Sequence, residues 1–256
     1  LGEEACEHGV IFWDGCTVRS LALAETGPHA VTLLRHETET QLNARWVIDA
    51  SGVTSTLRRQ LNLHEEVDHY INAAWFRVNK IITVQDWADD PAWQARFAPD
   101  VRRLATCHLT GKGYWVWLIP LAGDLTSVGI VADPRLHPFD QFNRRERALE
   151  WLAQCAQAVA DCEMMDFLVL RHFAHGCKQV FSANRWAITG VAGAFSDPLY
   201  SPGSELITVS NTIITDMIGR DLAGEAIAAR VDFFNDFYLN FVFDTVLHDV
   251  KDYYPM

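Results

Sequence analysis

Lysine is scarce in this 256-residue chain. Only Lys80, Lys112, Lys178 and Lys251 occur, and 33 acidic residues against 21 basic ones leave a formal charge of −12. Phosphate binding needs a basic stripe, so this balance argues against nucleic acid as a partner. No apolar run approaches the ~20 residues that a membrane span requires, and no secretory signal pattern opens the sequence. The six cysteines, at positions 6, 16, 107, 155, 162 and 177, form no CxxC pair and no metal-ligand spacing. That usage fits reduced thiols in the cytoplasm. No GxGxxG fingerprint occurs between a strand and a helix, so the usual cradle for a dinucleotide pyrophosphate is missing from these residues. Repeats, linkers and low-complexity tracts are absent as well.

What is present is a globular composition, with 49% hydrophobic and 21% charged residues. Residues 1–9 read as a helix ending at Gly9. Residues 10–25 and 29–51 read as strands joined by a turn around Gly27-Pro28. Within the second, the run from Trp46 to Ala50 is apolar apart from Asp49, as a buried parallel strand should be. Ser51-Gly52 then turns into a short helix over 54–63. From about His69 the texture becomes antiparallel, with strand candidates at 72–84, 102–113, 114–123 and 126–133. A helix from Asp140 to about Ala160 follows, with Leu149, Leu152, Ala156 and Val159 as one buried stripe. Residues 167–190 return the chain to its first half, and helices rich in Phe and Tyr begin at Val231.

Several conspicuous groups have ordinary readings. His172 and His175 lie three apart on an expected strand and therefore point to opposite faces, which makes a shared metal improbable. Arg144, Arg145 and Arg147 with Glu146 and Glu150 read as a solvated helix face, and Asp89-Asp90 before Pro91 as a turn. The aromatics from Phe233 to Phe243 have helical spacing and read as core.

The most informative segment is WAITGVAGAFSDPLYSPGSELITVSNTIITDMI, from Trp186 to Ile218. It runs as an apolar strand into a Gly-rich turn, then Asp-Pro, Ser-Pro-Gly and a long helix. A helix start offers backbone N–H groups and the positive end of its dipole to an electron-rich ligand. Gly190, Gly193 and Gly203 allow close backbone approach. The same residue types also suit a plain strand–turn–helix.

Within this segment, Gly190, Ala192, Phe195, Asp197, Pro198, Leu199, Ser201 and Gly203 match in register a flavin-contacting motif, Gly-Asp-Ala-x-x-Phe-x-Asp-Pro-Leu-x-Ser-x-Gly. The chain thereby resembles the FAD-dependent monooxygenase superfamily, and within it the flavin-dependent tryptophan halogenase branch. Ala44–Arg59, with Asp49-Ala50-Ser51-Gly52, resembles the strand that returns to the nucleotide-binding sheet. Trp115–Pro120, WVWLIP, followed by TSVGIVAD, resembles the branch's Trp-x-Trp-x-Ile-Pro element.

The resemblance implies a mixed α/β fold: an incomplete Rossmann-like FAD-binding domain with an inserted antiparallel-sheet substrate domain. Residues 1–63 and 183–222 would form the cofactor part, 64–182 the substrate part and 223–256 the C-terminal helices. FAD is the implied cofactor. Asp49, Ala50, Ser51 and Gly52 would lie near its adenosine or pyrophosphate, and Gly190, Ala192, Asp197, Pro198, Tyr200, Ser201, Gly203 and Ser204 near the rest of the flavin. Ser51 reads equally well as a helix cap. Trp115 and Trp117 would wall the organic substrate off from the flavin, or else pack as paired indoles in a core.

The implied reaction uses reduced flavin and oxygen to oxidise or halogenate an aromatic or electron-rich molecule, with a separate flavin reductase as a further partner. The GxGxxG element and the family's catalytic lysine would precede Leu1, making this an internal, cytoplasmic fragment inactive on its own. Three departures stand out. Val191 replaces the motif's Asp, Pro202 lacks an N–H in the Ser-x-Gly turn, and Tyr114 replaces a glycine before Trp115, where it would narrow the substrate channel or face solvent. They leave room for a degenerate flavoprotein-like binding module, and the superfamily also contains reductases of unsaturated lipids.

Overall fold

The computed structural model describes residues 2–96, 98, 101–160 and 162–254. The chain divides into two compact units. The first comprises Leu1–Leu63, Lys178–Gly193 and Ile207–Tyr238; the second comprises His64–Cys177, Ala194–Leu206 and Leu239–Met256.

The first unit opens with the helix Gly2–Glu7, and Gly9 beyond it has φ +85°. Leu1 lies outside the described residues. An antiparallel sheet of Cys16–Ala22, His29–Arg35 and Thr38–Ala44 follows. Two expected strands are thus three, and residues 10–14 belong to none of them. The missed turn is His36-Glu37, with φ values of 48° and 65°. Such tight hairpins normally announce themselves with Asn-Gly or Asp-Gly, and this one does not. His29 is buried, accepting a bond from the Ala24 N–H on Nδ1 and donating from Nε2 to the Arg185 carbonyl, each at 3.0 Å.

The second sheet of this unit places Val47–Asp49 parallel to Trp186–Ile188, whose other neighbour is Phe181–Ser182. Parallel pairing is as expected, but Val47–Asp49 lies at the sheet edge among the described residues and Ile48 is exposed. Asp221, in the helix Pro202–Leu222, accepts bonds from Arg45 Nε at 2.8 Å and Trp46 Nε1 at 2.9 Å. The Arg45 bond above all holds this carboxyl below its ordinary range. Its stabilising effect is present above the ordinary carboxylate pKa and is lost as pH falls through the depressed value. Asp221→Asn should therefore flatten the loss of stability below about pH 4, by no more than about 1 kcal/mol because Arg45 is half exposed. Urea midpoints at neutral and acid pH measure this, and an unchanged pH dependence would contradict it.

The second unit is built on five antiparallel strands in the order Leu168–Arg171, Asn72–Val78, Leu125–Ala132, Tyr114–Leu121 and Cys107–Gly111. The four expected strands are all present, though Val84–Trp87 and Arg102–Leu104 are 3₁₀ turns rather than strand ends. The fifth strand, Leu168–Arg171, joins this sheet beside Asn72–Val78 instead of leaving it. Alternation along the strands sends Ala74, Phe76, Val116, Leu118, Val128 and Ile130 to one core. Ala73, Trp115 and Val131 face the other way and pack with Ile71, Phe173, Leu199 and Val250.

Helix Arg145–Leu152 covers the first of these cores. The long helix expected over 140–160 is interrupted: a 3₁₀ turn at Phe139–Gln141 precedes it, and a separate turn, Gln157–Ala160, follows. Bonds from Gln154 N–H to Trp151 and from Cys155 N–H to Leu152 tighten the chain at the break. Leu152, Ala156 and Val159 stay buried despite it. Asp90 caps the short helix Pro91–Gln94, accepting from Ala92 N–H at 2.9 Å, so this Asp-Asp-Pro is a helix start.

Two further expectations change. His172 lies outside the strand, in left-handed backbone with φ 46°, while His175 bridges the backbone of Phe195. The aromatics near the C-terminus divide: Tyr238 and Phe243 are buried, but Phe233 is 62% and Phe241 64% exposed. A π-helical stretch over Phe237–Phe243 shifts side chains off the 3.6-residue stripe read from the sequence. No described helix is long and apolar enough to cross a membrane, and no metal-ligand cluster occurs among the described residues. No disulfide joins any of the six cysteines.

Candidate functional site

In the first unit the loop after Val47–Asp49 and the turn after Trp186–Ile188 meet at the carboxyl ends of two parallel strands. The Thr189 N–H donates to the Asp49 carbonyl at 3.0 Å, continuing the ladder. Asp49, Ala50, Ser51 and Gly52 are thereby brought beside Gly190 and Ala192. The Asp49 side chain is spent on the loop itself. Its Oδ1 accepts from Ser51 N–H at 2.9 Å and its Oδ2 from Leu57 N–H at 2.6 Å. Ser51 Oγ accepts from Thr56 N–H at 3.1 Å across the loop. The helix-cap reading of Ser51 does not hold, because it makes no side-chain cap bond to the turn Gly52–Thr54 and helix Thr56–Gln60 is preceded by Ser55.

Arg58, which the sequence did not single out, ties the two turns together. Its guanidinium donates to Ser55 Oγ at 2.7 Å and to the Gly193 carbonyl at 3.3 Å. Gly52 and Gly190 have φ of 62° and 61°, a region that side chains resist. A recess of about 310 Å³ opens here, lined by Val18, Leu21, Val31, Ile48, Ala50 and Ser51 among others.

In the second unit, Asp197 is fully buried and organises the turn leading to helix Pro202–Leu222. Its Oδ1 accepts from Leu199 N–H at 2.9 Å, the Asx turn typical of Asp-Pro-x. Its Oδ2 accepts from His69 Nε2 at 3.0 Å and from the Tyr254 hydroxyl at 2.5 Å. Because a carboxylate only accepts, Nε2 is the protonated nitrogen of His69. Tyr254 in turn accepts from Trp115 Nε1 at 3.0 Å. Burial, and next the charge of Asp197, push the Tyr254 phenol well above its ordinary range, which keeps it the donor in this chain. Tyr200 and Ser201 then take φ of 57° and 61°, two left-handed residues in succession without a glycine. Pro198 accepts from Ser201 N–H at 2.9 Å, and Ser201 from Ser204 N–H at 3.3 Å. At Gly203, a Cβ would meet only the Phe195 ring, at 3.6 Å.

Trp115 and Trp117 share one sheet face, with ring centroids 5.5 Å apart. Trp115 is 2% exposed and fills the core, whereas Trp117 is half-buried, so only Trp117 presents much surface. The Trp117 indole lies across Gly129 of the neighbouring strand and donates to Ser127 Oγ at 3.1 Å. Tyr114 neither narrows that face nor points to solvent. It lies on the opposite face, edge-on to Trp151 at 4.9 Å and His137 at 5.1 Å. Strand alternation dictates this, because Tyr114 adjoins Trp115. His108 stands on the tryptophan face, cross-strand from Trp117, edge-on to Trp115 at 5.4 Å and Tyr200 at 4.9 Å. Neither His69, His108 nor Tyr254 was visible as a site residue in the sequence, since each reaches its partners only through tertiary packing.

The fold recurs in solved flavoprotein structures. The flavin-dependent halogenase CmlS superposes with a TM-score of 0.70 at 25% identity, over 96% of this chain and 42% of that one. A flavoprotein/dehydrogenase from Cytophaga hutchinsonii gives 0.78 at 20% identity, over 98% and 59%. Among curated proteins, the flavin-dependent halogenase chlA of Dictyostelium discoideum is 27% identical over 72% of this chain and 32% of its own length. The tetracycline 7-halogenase of Kitasatospora aureofaciens is 27% identical over 63% and 31%. Residues 1–248 match the tryptophan halogenase family, and the chain belongs to it. It spans about a third of the length of these curated relatives.

Proposed function

We propose that the protein is a flavin-dependent oxidoreductase that halogenates an aromatic substrate, with FAD as its cofactor. The observation that carries this reading is the buried Asp197, which holds Tyr200, Ser201 and Gly203 in a strained turn at the start of a 21-residue helix. Such a turn offers a flat, electron-rich ring an open glycine flank and the positive helix end. The recess beside Ala50 and Ser51 is mostly apolar, which suits an adenine, and Asp49 would act by shaping its loop rather than by touching the ligand. The residues present therefore fit the group. FAD, when bound and reduced, supplies the electrons that activate oxygen. The chain's own contribution is positioning: Asp197, His69 and Tyr254 hold the turn, and Trp117 with its neighbours forms an apolar wall for an aromatic ring.

Pro202 favours a second reading, oxygenation without halide, because it has no N–H with which to hold an anion in the Ser-x-Gly turn. One assay separates the two. The full-length protein is incubated with reduced flavin, oxygen and an activated aromatic, with and without bromide, and the products are read by mass spectrometry. A bromide-dependent brominated product is the expected result. Hydroxylation independent of bromide would replace the first reading with the second, and no product with any aromatic would overturn both.

A further inference from the structure

Trp117, Trp115 and Tyr254 form a contiguous row of oxidisable side chains that ends on a buried base. The two indoles lie with ring centroids 5.5 Å apart. Trp115 Nε1 donates to the Tyr254 hydroxyl at 3.0 Å, and that hydroxyl donates to Asp197 Oδ2 at 2.5 Å. The last separation is that of a charge-assisted O–H···O⁻ bond, within reach of proton transfer. Trp117 is the half-buried end of the row, whereas Trp115 and Asp197 are buried. The proton acceptors differ in strength along it. Trp117 N–H meets a neutral hydroxyl, Ser127, and Trp115 N–H a neutral phenol oxygen. Within the row, only the Tyr254 proton faces a carboxylate. An aromatic ring gives up an electron more readily when its proton can pass to a base in the same step. An electron vacancy made at Trp117 therefore runs downhill to Tyr254. Burial, and next the charge of Asp197, keep the phenol protonated until then. Tyr200 lies edge-on to His108 at 4.9 Å, and its hydroxyl bonds to no described residue, so it has no such base.

We propose that Trp117, Trp115 and Tyr254 carry one-electron oxidising equivalents off the sheet face and store them as a tyrosyl radical. A one-electron oxidant at Trp117 takes one electron, is reduced by it, and leaves an indole radical cation. Trp115 refills that vacancy and is refilled in turn by Tyr254. As its electron leaves, the phenol proton moves to Asp197 Oδ2. The products are a neutral phenoxyl radical and a neutral carboxyl, which His69 and the Leu199 N–H still hold. No bond between heavy atoms forms or breaks. The use of such a row, to draw stray oxidants away from an oxygen-activating site, rests on the function proposed above. Its test needs neither flavin nor halide, so a failed halogenation assay leaves that test decisive.

Pulse radiolysis of the full-length protein in azide solution provides the test, because the azide radical oxidises tryptophan in preference to tyrosine at neutral pH. In the wild type the indolyl absorption should decay as the phenoxyl absorption rises. The rate should be independent of protein concentration and slower in D₂O, since a proton moves with the electron. Tyr254→Phe keeps the ring and should lose the larger part of this conversion. A wild type with no such intramolecular conversion, or with equal rates in the two waters, would overturn the proposal, as would a Tyr254→Phe protein that keeps the larger part. If Tyr254→Phe does not fold, a nitroso spin trap decides in the wild type. Tyr254 lines a cavity of about 480 Å³, which admits the trap. An adduct located on Tyr254 by peptide fragmentation supports the row, and an adduct on any other tyrosine, or none, overturns it.

Discussion

Replacing Asp197 by alanine should cost about 3–5 kcal/mol, which for a chain of this size lowers the melting temperature by on the order of 10 °C. The size follows from what the carboxylate holds. Alanine would leave the Leu199 N–H, the His69 Nε2–H and the Tyr254 hydroxyl without an acceptor, and Leu199 and His69 are buried. Each unsatisfied buried donor costs roughly 1–3 kcal/mol. Asp197→Asn should lose about half as much, since one oxygen remains to accept from Leu199. Denaturant unfolding followed by circular dichroism measures both. A loss under about 1 kcal/mol for the alanine variant would mean that Tyr200 and Ser201 keep their left-handed backbone without this anchor, and Asp197 would no longer explain the turn.

Gly129→Ala should be nearly as damaging, for the opposite reason. A Cβ at Gly129 would run into the six-membered ring of Trp117, a contact with a rigid indole that has no flexible end to yield. The indole must leave its place, losing its bond to Ser127 and disturbing the pair with Trp115. Overpacking of this kind costs about 1–3 kcal/mol, and the lost hydrogen bond adds roughly 1 kcal/mol. The same substitution in a Trp117→Leu background should cost under about 1 kcal/mol, because the clashing ring is gone. Equal costs in both backgrounds would show that the glycine serves strand geometry alone.

Much of the fold could be read from residue order. The apolar Trp46–Ala50 run ending in Asp-Ala-Ser-Gly announced a parallel strand, and turns between 111 and 125 separated the strands of the antiparallel sheet. Local signals failed where tertiary contacts decide. The His36-Glu37 hairpin carries no glycine or asparagine, the helix after Asp140 is broken at no proline, and the strand Leu168–Arg171 finds its partner 93 to 99 residues earlier. The candidate site divides in the same way. Asp197 to Gly203 was legible because its turn chemistry is local. His69 and Tyr254 were not, since they lie 128 and 57 residues from the Asp197 they hold. Nor was His108, whose place on the tryptophan face depends on cross-strand register. Pairing across a sheet is set by the fold and leaves no spacing in the sequence.

The most direct test of the account is a titration of the flavin-free full-length protein with FAD, followed by quenching of flavin fluorescence and by the visible absorption of the bound ring. The account predicts saturable binding of one flavin per chain with a shifted absorption band. A colourless protein that ignores added FAD would contradict it, and would leave a family member that has kept the fold without the cofactor.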